Sequence, residues 1–386
     1  MMSVLVGCGG ASQSVSTPPP TNVSATNQII GTRAEGTAKE LLAKGEKALL
    51  AQKWQEAVDA FEAVLAGDPE AKNNPQVIYD LAVAYEGLGE REKARARYRE
   101  VVQRFPTDPN ARNALVREVS LDAYLEDWSA LGETGTTILA RKDIDPAEKM
   151  LVLRARALSR VQANDETGAS RDVHDGLDLM EEYRYGATGQ LPVAAAMIKF
   201  ADGELRRLRS EKVVLNPPPP DFLAKLETRC MHLLDAQSAY ADAIRSVDPH
   251  WAAMSGYRVG EMYRNLHHHL MLIPPTAQAK TESDKQVFYG IMHVRYRVLL
   301  EKGLEMMKRT LALGEKTGAA SAWMKRADAA KAEMEKALDE EKALLAKMPF
   351  TEEELQKALD IMKKQANGEL PKVPTKKDPA SGAPKK

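Results

Sequence analysis

The stretch AKELLAKGEKALLAQKWQEAVDAFEAVLAGDP, residues 38–69, decides the fold, because its small and large apolar residues stand at regular helical intervals. Counted from the first of them, the offsets are 0, 3, 12, 16, 19 and 24, and the residues are Gly45, Ala48, Ala57, Phe61, Val64 and Pro69. Small residues let two helices approach closely, and a large residue fills the space between them. The pattern predicts a helix, a short turn and a second helix packed back on the first.

The following segment, VIYDLAVAYEGLGEREKARARYREVVQRFP at 77–106, repeats the pattern, and Gly89 marks its turn. The residues at the same six offsets are Ala82, Tyr85, Ala94, Tyr98, Val101 and Pro106. Ala57 and Ala94 are 37 residues apart (94 − 57), a further step of 37 reaches Leu131, and a step of 38 reaches Ala169. We therefore predict four helical hairpins, two with a well-kept pattern and two degenerate ones.

These offsets resemble the tetratricopeptide repeat (TPR). Residues 38–106 resemble it closely, residues 107–180 weakly, and the C-terminal half only in being helical. The resemblance implies an all-α protein, a TPR-like α-solenoid of helical hairpins followed by a long-helix C-terminal region. It also implies a groove that binds an extended or helical segment of a protein partner. The expected function is a non-enzymatic scaffold or adaptor, and no cofactor is expected.

Composition shifts divide the chain into further parts. We predict the TPR array over 38–183, an extended α-helical hairpin region over 184–348, and a terminal helix with a disordered basic tail over 349–386. The apolar stripe of the long helix predicted near 283–315 consists of Val287, Ile291, Val294 and Val298. Their spacing of four, three and four residues is that of one helix face.

The N-terminus carries a second resemblance. Leu5-Val6-Gly7-Cys8 resembles the lipobox of bacterial lipoproteins, which implies lipidation of Cys8 and an address at the periplasmic face of the outer membrane. On this interpretation residues 1–8 are a truncated signal-like segment and residues 9–37 are a disordered Ser/Thr/Pro linker. However, only seven residues precede Cys8, and none is Lys or Arg. The alternative is a chance cysteine in a soluble cytoplasmic TPR adaptor.

Lipobox, linker, repeats and long helices together resemble the outer-membrane TPR lipoproteins of delta-proteobacteria such as myxobacteria. That resemblance implies a role in the assembly of an envelope complex, such as one that serves gliding motility or pilus assembly.

Charge and motifs argue against other classes of function. Lys and Arg number 54 against 55 Asp and Glu, so the net charge of -1 does not favour nucleic acid. No GxxxxGK[ST], HExxH or GxSxG motif occurs, and no enzyme is predicted. No stretch approaches the roughly 18 apolar residues of a membrane span, so membrane association is expected through the lipid only.

A histidine run, RNLHHHLML, invites a metal-site interpretation. His267, His268 and His269 follow one another on a predicted helix and point about 100° apart, which prevents all three from binding one ion. A metal site would need a neighbour in space, such as His232 or His293, beside His267 or His269. No metal is predicted, and this alternative stays open.

The segment DPHWAAMSGYRVGEMYRNL is rich in interface-type residues. One interpretation is a closely packed helix pair that uses the Gly256 and Gly260 spacing; the other is a partner-binding face, since Trp, Tyr and Arg anchor interfaces. The residues of that possible face are Trp251, Tyr257, Arg258, Tyr263 and Arg264.

Overall fold

The computed structural model describes residues 33–185, 192–245, 248–277, 279–317 and 321–366. These residues contain fourteen α-helices and no β-strand, which confirms the predicted all-α class. The helices are α1 Arg33–Leu50, α2 Trp54–Gly67, α3 Pro75–Leu88, α4 Arg91–Arg104, α5 Pro109–Tyr124, α6 Trp128–Leu139, α7 Pro146–Gln162, α8 Glu166–Glu182, α9 Val193–Glu211, α10 Phe222–Ile244, α11 Pro249–Met271, α12 Glu282–Thr317, α13 Ala322–Ala346 and α14 Glu352–Ala366. The predicted lipidation site Cys8 and the basic tail lie outside the described residues.

The first eight helices form four consecutive helical hairpins. Ala57, Ala94, Leu131 and Ala169 are each the fourth residue of the second helix of their hairpin, and each is fully buried. The steps of 37, 37 and 38 residues read from the sequence therefore coincide with the structural repeat.

The turn inside each hairpin is built in the same way four times. Its central residue has a positive φ: 56° at Gln52, 81° at Gly89, 58° at Glu126 and 59° at Asn164. The next residue donates its backbone N–H to a carbonyl five positions back, as in Lys53 to Ala48 and Glu90 to Tyr85. Asp127 to Asp122 and Asp165 to Arg160 complete the set. This is the Schellman arrangement, which satisfies carbonyl groups at a helix end.

Small residues set the helix separation inside the first hairpin. A Cβ added at Gly45 would lie 2.8 Å from the ring of Phe61, which is fully buried. Gly45 and seven other predicted packing residues are buried: Ala48, Ala57, Phe61, Ala82, Tyr85, Ala94 and Tyr98. Pro69 and Pro106, expected among them, are exposed in the loops after α2 and α4. A ring without an N–H ends a helix there rather than packing against one.

The first compact unit ends at Asp202, inside α9, rather than at the predicted boundary of 183/184. The reason is that the amino-terminal half of α9 completes the core of the fourth hairpin, where Ala195 and Ile198 cluster with Met150 and Leu153. Gly176 leaves the space that Ile198 occupies, since a Cβ there would lie 2.5 Å from its methyl group.

The second compact unit runs from Gly203. Within it α11, α12 and α13 pack against one another, α10 packs on α11, and α14 packs on α12. Between α11 and α12 the backbones approach closely, since a Cβ added at Gly260 would lie 2.9 Å from the carbonyl oxygen of Gly303. The close helix pair expected from the Gly256 and Gly260 spacing is therefore present.

The predicted stripe of α12 is not its buried face. Val298 is 46% exposed, and Val287, Ile291 and Val294 are only half-buried. The buried face contains Tyr296, Leu300, Gly303, Leu304 and Met307 instead. Because α12 contacts α11, α13 and α14, packing against several neighbours determines which face is covered.

Candidate protein-binding face

The first helices of the four hairpins, α1, α3, α5 and α7, form a continuous row, which we call the inner row. Each contacts the next one along: α1 with α3, α3 with α5, and α5 with α7. Side chains that project between these helices come from different repeats, so the row can present a composite surface.

Asp80 lies on α3 in the inner row, and its side chain is buried. Its Oδ1 accepts a hydrogen bond from Gln76 Nε2 at 2.8 Å, and Gln76 Oε1 accepts one from Asn110 at 3.1 Å. Burial, aided by the charge of Glu46 on α1, raises the pKa of Asp80 to about 7. Among the described residues no Lys or Arg forms an ion pair with it. With a pKa of about 7, this carboxyl group is about half protonated at neutral pH, and in the described part of the chain it has no cation beside it.

Between α3 and α5 the inner row is internally satisfied. Arg117 on α5 donates to Glu86 Oε1 at 3.1 Å, and Glu86 Oε2 accepts from the hydroxyl of Tyr98 at 2.9 Å. These contacts link the second hairpin to the third and stabilise the solenoid.

Arg154 on α7 is a buried basic side chain, whereas Asp80 is a buried acidic one. It is 4% exposed, and its Nη2 donates to Ser120 Oγ at 3.2 Å, the only hydrogen-bond partner it has in the described part of the chain. Its Nε is buried without a partner. Burial lowers the pKa of Arg154 to about 10, so the guanidinium is still charged at neutral pH. A buried cation without a carboxylate is costly, by several kcal/mol in order of magnitude.

Neither Asp80 nor Arg154 was singled out from the sequence. A signal was present, because each is a charged residue inside an apolar run: VIYDLAVAY for Asp80 and MLVLRARAL for Arg154. What the sequence does not show is whether a neighbouring hairpin supplies the opposite charge.

The arginine-rich helix α4 does not form a free basic surface. Four of its five arginines pair with carboxylates, two of them with carboxylates of the third hairpin, and the fifth, Arg91, lies over the ring of Tyr124. The pairs are Arg95 with Asp122 (3.1 Å) and Asp127 (2.9 Å), Arg99 with Glu118 (2.7 Å), and Arg97 and Arg104 with Glu100 (2.8 and 2.5 Å). The positive charge of α4 therefore serves contacts between and within hairpins.

The five aromatic and arginine residues proposed as a partner-binding face are mostly used inside the second unit. Trp251 is fully buried and Tyr263 is 6% exposed, so these two pack in the core rather than forming an exposed anchor. Arg258 pairs with Glu204 at 2.9 Å and Glu261 at 2.7 Å.

The two remaining members also make internal contacts. The half-buried ring of Tyr257 lies 5.2 Å from that of Trp323, and Arg264 pairs with Glu333 at 3.0 Å. The closely packed helix pair is thus the interpretation that fits the positions of this group.

The histidines are only partly brought together. His267 Nε2 and His293 Nδ1 lie 2.8 and 3.0 Å from one oxygen of Glu341. Burial alone would raise the pKa of Glu341, but hydrogen bonds from the two imidazoles lower it to about 2. His269 contacts Arg229 instead, at 2.5 Å, and His232 is half-buried elsewhere on α10. In the described ranges no group of three His, Cys, Asp or Glu is placed to hold a metal ion.

The four hairpins in one register, with their shared turn, make the array a TPR-type α-solenoid. Residues 48–117 match the sequence model of a tetratricopeptide repeat family. No curated protein matches the chain. TPRs are in general protein-binding modules without catalytic activity.

Among solved structures, one similar chain is a tetratricopeptide repeat protein from Parabacteroides merdae, at 13% identity and a TM-score of 0.40 over 77% of this chain and 99% of that one. Another is the TPR domain of P58(IPK), at 14% identity and a TM-score of 0.15 over 80% of this chain and 98% of that one. The family match covers residues 48–117, and the TPR-type register of the later hairpins rests on their own residue spacing. Across the described ranges, no helix is both long and apolar enough to cross a membrane.

Proposed function

We propose that this chain is a non-enzymatic scaffold that binds a segment of a protein partner along the inner row of its hairpin array. The observation that carries the proposal is the pair of buried ionisable side chains, Asp80 and Arg154, for which the described residues supply no ion-pair partner. A partner segment can offset both, with a cation near Asp80 and a carboxylate near Arg154. Half-buried residues beside them, such as Glu46, Val116 and Ser120, give such a segment further contacts.

We further propose that the scaffold is lipid-anchored through Cys8 at the periplasmic face of the outer membrane and supports assembly of an envelope complex, of the motility or pilus type. The support is the Leu5-Val6-Gly7-Cys8 sequence followed by a Ser/Thr/Pro-rich stretch.

The binding role is tested by in-cell cross-linking and mass spectrometry of the protein in its native host. Val116→Glu places a charge on the inner row, whereas Gln103→Glu adds the same charge at an exposed site on α4. We expect a defined set of cross-linked partners for wild type and Gln103→Glu, and loss of that set for Val116→Glu at unchanged helicity. An identical set for all three proteins would contradict the inner row as the binding surface.

The anchor is tested by intact mass of the protein from the native membrane fraction. We expect a mature chain that begins at Cys8 and carries added acyl mass, and we expect Cys8→Ser to move the protein to the soluble fraction with its helicity intact. An unmodified cysteine in a soluble wild-type chain would instead favour the cytoplasmic adaptor, with the binding role unaffected.

A further inference from the structure

Exposed apolar side chains are concentrated on α10. Of thirteen large apolar residues that the described part of the chain exposes, three lie on this helix: Leu223 at 65%, Met231 at 53% and Leu234 at 56%. Single exposed apolar residues are common on soluble proteins. Two adjacent ones in the middle of a helix that is well packed on its other side are more informative.

Six of the nine exposed residues of α10 follow a heptad pattern, and Leu223, Lys225 and Asp235 lie beside it. The six are spaced alternately three and four residues apart: Ala224, Glu227, Met231, Leu234, Ser238 and Ala241. This is the a and d spacing of a coiled-coil seam, and we call these six residues the α10 seam. The seam extends about 26 Å along the helix, at 1.5 Å per residue.

The opposite face of α10 already has its partners. Leu226, Leu233, Ala236 and Tyr240 are buried there, and the helix packs on α11. The apolar residues of the seam are thus additional to those that the fold of the second unit requires.

The charges around the seam indicate what kind of helix it fits. Glu227 lies in the seam, and exposed Asp235 borders its apolar centre. Lys225 stands at the amino end, and Arg245 is paired with Asp242 at 2.6 Å. A second copy would bring its own Glu227 and Asp235 to this face, so that two surfaces with the same excess of carboxylates would meet, which is unfavourable. A helix with basic flanks has no such repulsion.

We propose that the α10 seam docks an amphipathic helix of another protein, with apolar residues at its a and d positions and Lys or Arg beside them. Met231 and Leu234 would pack between the apolar residues of that helix, and its cations would reach Glu227 and Asp235. This surface belongs to the second unit and does not depend on the inner row of the first.

The experiment uses the full chain and two fluorescent three-heptad peptides, one with Leu at a and d and Lys at e and g, the other with Glu in place of Lys. We expect the Lys peptide to bind with micromolar affinity and the Glu peptide at least about tenfold more weakly. The double variant Met231→Gln/Leu234→Gln should lose at least about tenfold in affinity for the Lys peptide.

Two further variants serve as controls. Leu344→Gln changes an apolar residue on α13 that is 42% exposed, and it should bind the Lys peptide as wild type does. The double variant Glu227→Lys/Asp235→Lys should prefer the Glu peptide. Circular dichroism of each variant checks that the helices are intact.

Three outcomes would overturn the proposal. They are equal binding by wild type and Met231→Gln/Leu234→Gln, no binding of either peptide, and self-association of wild type that the same double variant abolishes. The last outcome, measured by sedimentation velocity, would assign the seam to a second copy of the chain.

Discussion

Ala94 stands at a position of the repeat where only a small side chain fits. It is fully buried at the fourth position of α4, between the two helices of the second hairpin. Ala94→Leu adds volume to a packed interface and should lower the free energy of unfolding by about 1–3 kcal/mol. Ala96→Leu, two residues along the same helix and exposed, is the matched control and should change it by less than about 0.5 kcal/mol. Urea unfolding followed by circular dichroism measures the free energy of unfolding of both variants. Equal losses in the two variants would contradict the repeat register that places Ala94 between the helices.

Asp80 should make the stability of the hairpin array depend on pH in an unusual direction. Its pKa rises from 3.8 to about 7 on folding, mainly because the side chain is buried. The folded state therefore holds a proton that the unfolded state releases, and stability from this group is present below pH 4 and is lost as pH rises through 7.

Asp80→Asn removes that titration while keeping the size of the side chain. We expect the variant to match or exceed wild type in stability at pH 8 and to lose the fall in stability between pH 5 and 8. The readout is the difference in unfolding free energy between the two proteins as a function of pH. A difference that stays constant from pH 5 to pH 8 would show that Asp80 does not titrate as described.

The four turns place different residue types, with and without a Cβ, in the same positive-φ conformation. Glu126 adopts φ 58° in its turn, where Gly89 adopts 81° in the equivalent one. A residue with a Cβ pays roughly 1 kcal/mol for this conformation, and glycine does not. Glu126→Gly should therefore stabilise the array by up to about 1 kcal/mol, and Gly89→Ala should destabilise it by a similar amount.

The melting temperatures of Glu126→Gly and Gly89→Ala measure these two changes in stability. Asn164→Gly is the internal control, because Asn tolerates positive φ better than Glu, and its gain should be the smaller one. Destabilisation by Glu126→Gly would mean that the glutamate side chain contributes more than its backbone conformation costs.

The hairpins could be predicted from the sequence, whereas the buried face of α12 and the pairing of Arg154 could not. The hairpins were predictable because the contacts of Ala57 and Ala94 recur with every repeat, so their spacing is written in the chain. The buried face of α12 was not, because Val298 and Leu300 are both apolar and only the neighbouring helices decide which is covered. Whether Arg154 has an ion-pair partner also depends on the third hairpin, which offers it the hydroxyl of Ser120. The lipid anchor at Cys8 stays a prediction.

For the molecule as a whole, charge balance has a consequence for the class of partner. The net charge is -1, and four of the five arginines of α4 are paired with carboxylates. Binding to nucleic acid depends on cations that neutralise phosphates, and its strength then falls steeply with salt. The charge distribution thus favours a protein partner over nucleic acid.

The corresponding prediction is that wild type does not bind a fluorescent DNA duplex or single-stranded RNA at physiological salt in an anisotropy titration. Glu100 pairs with both Arg97 and Arg104, so Glu100→Gln should leave two cations without this carboxylate, while Arg104 keeps its hydrogen bonds to Lys72 O and Asn73 Oδ1. We expect this variant to gain weak binding only at low salt, with a shallow salt dependence that corresponds to about two phosphate contacts. Tight binding by wild type with a steep salt dependence would mean that the ion pairs on α4 open readily, and the charge balance would then not favour a protein partner.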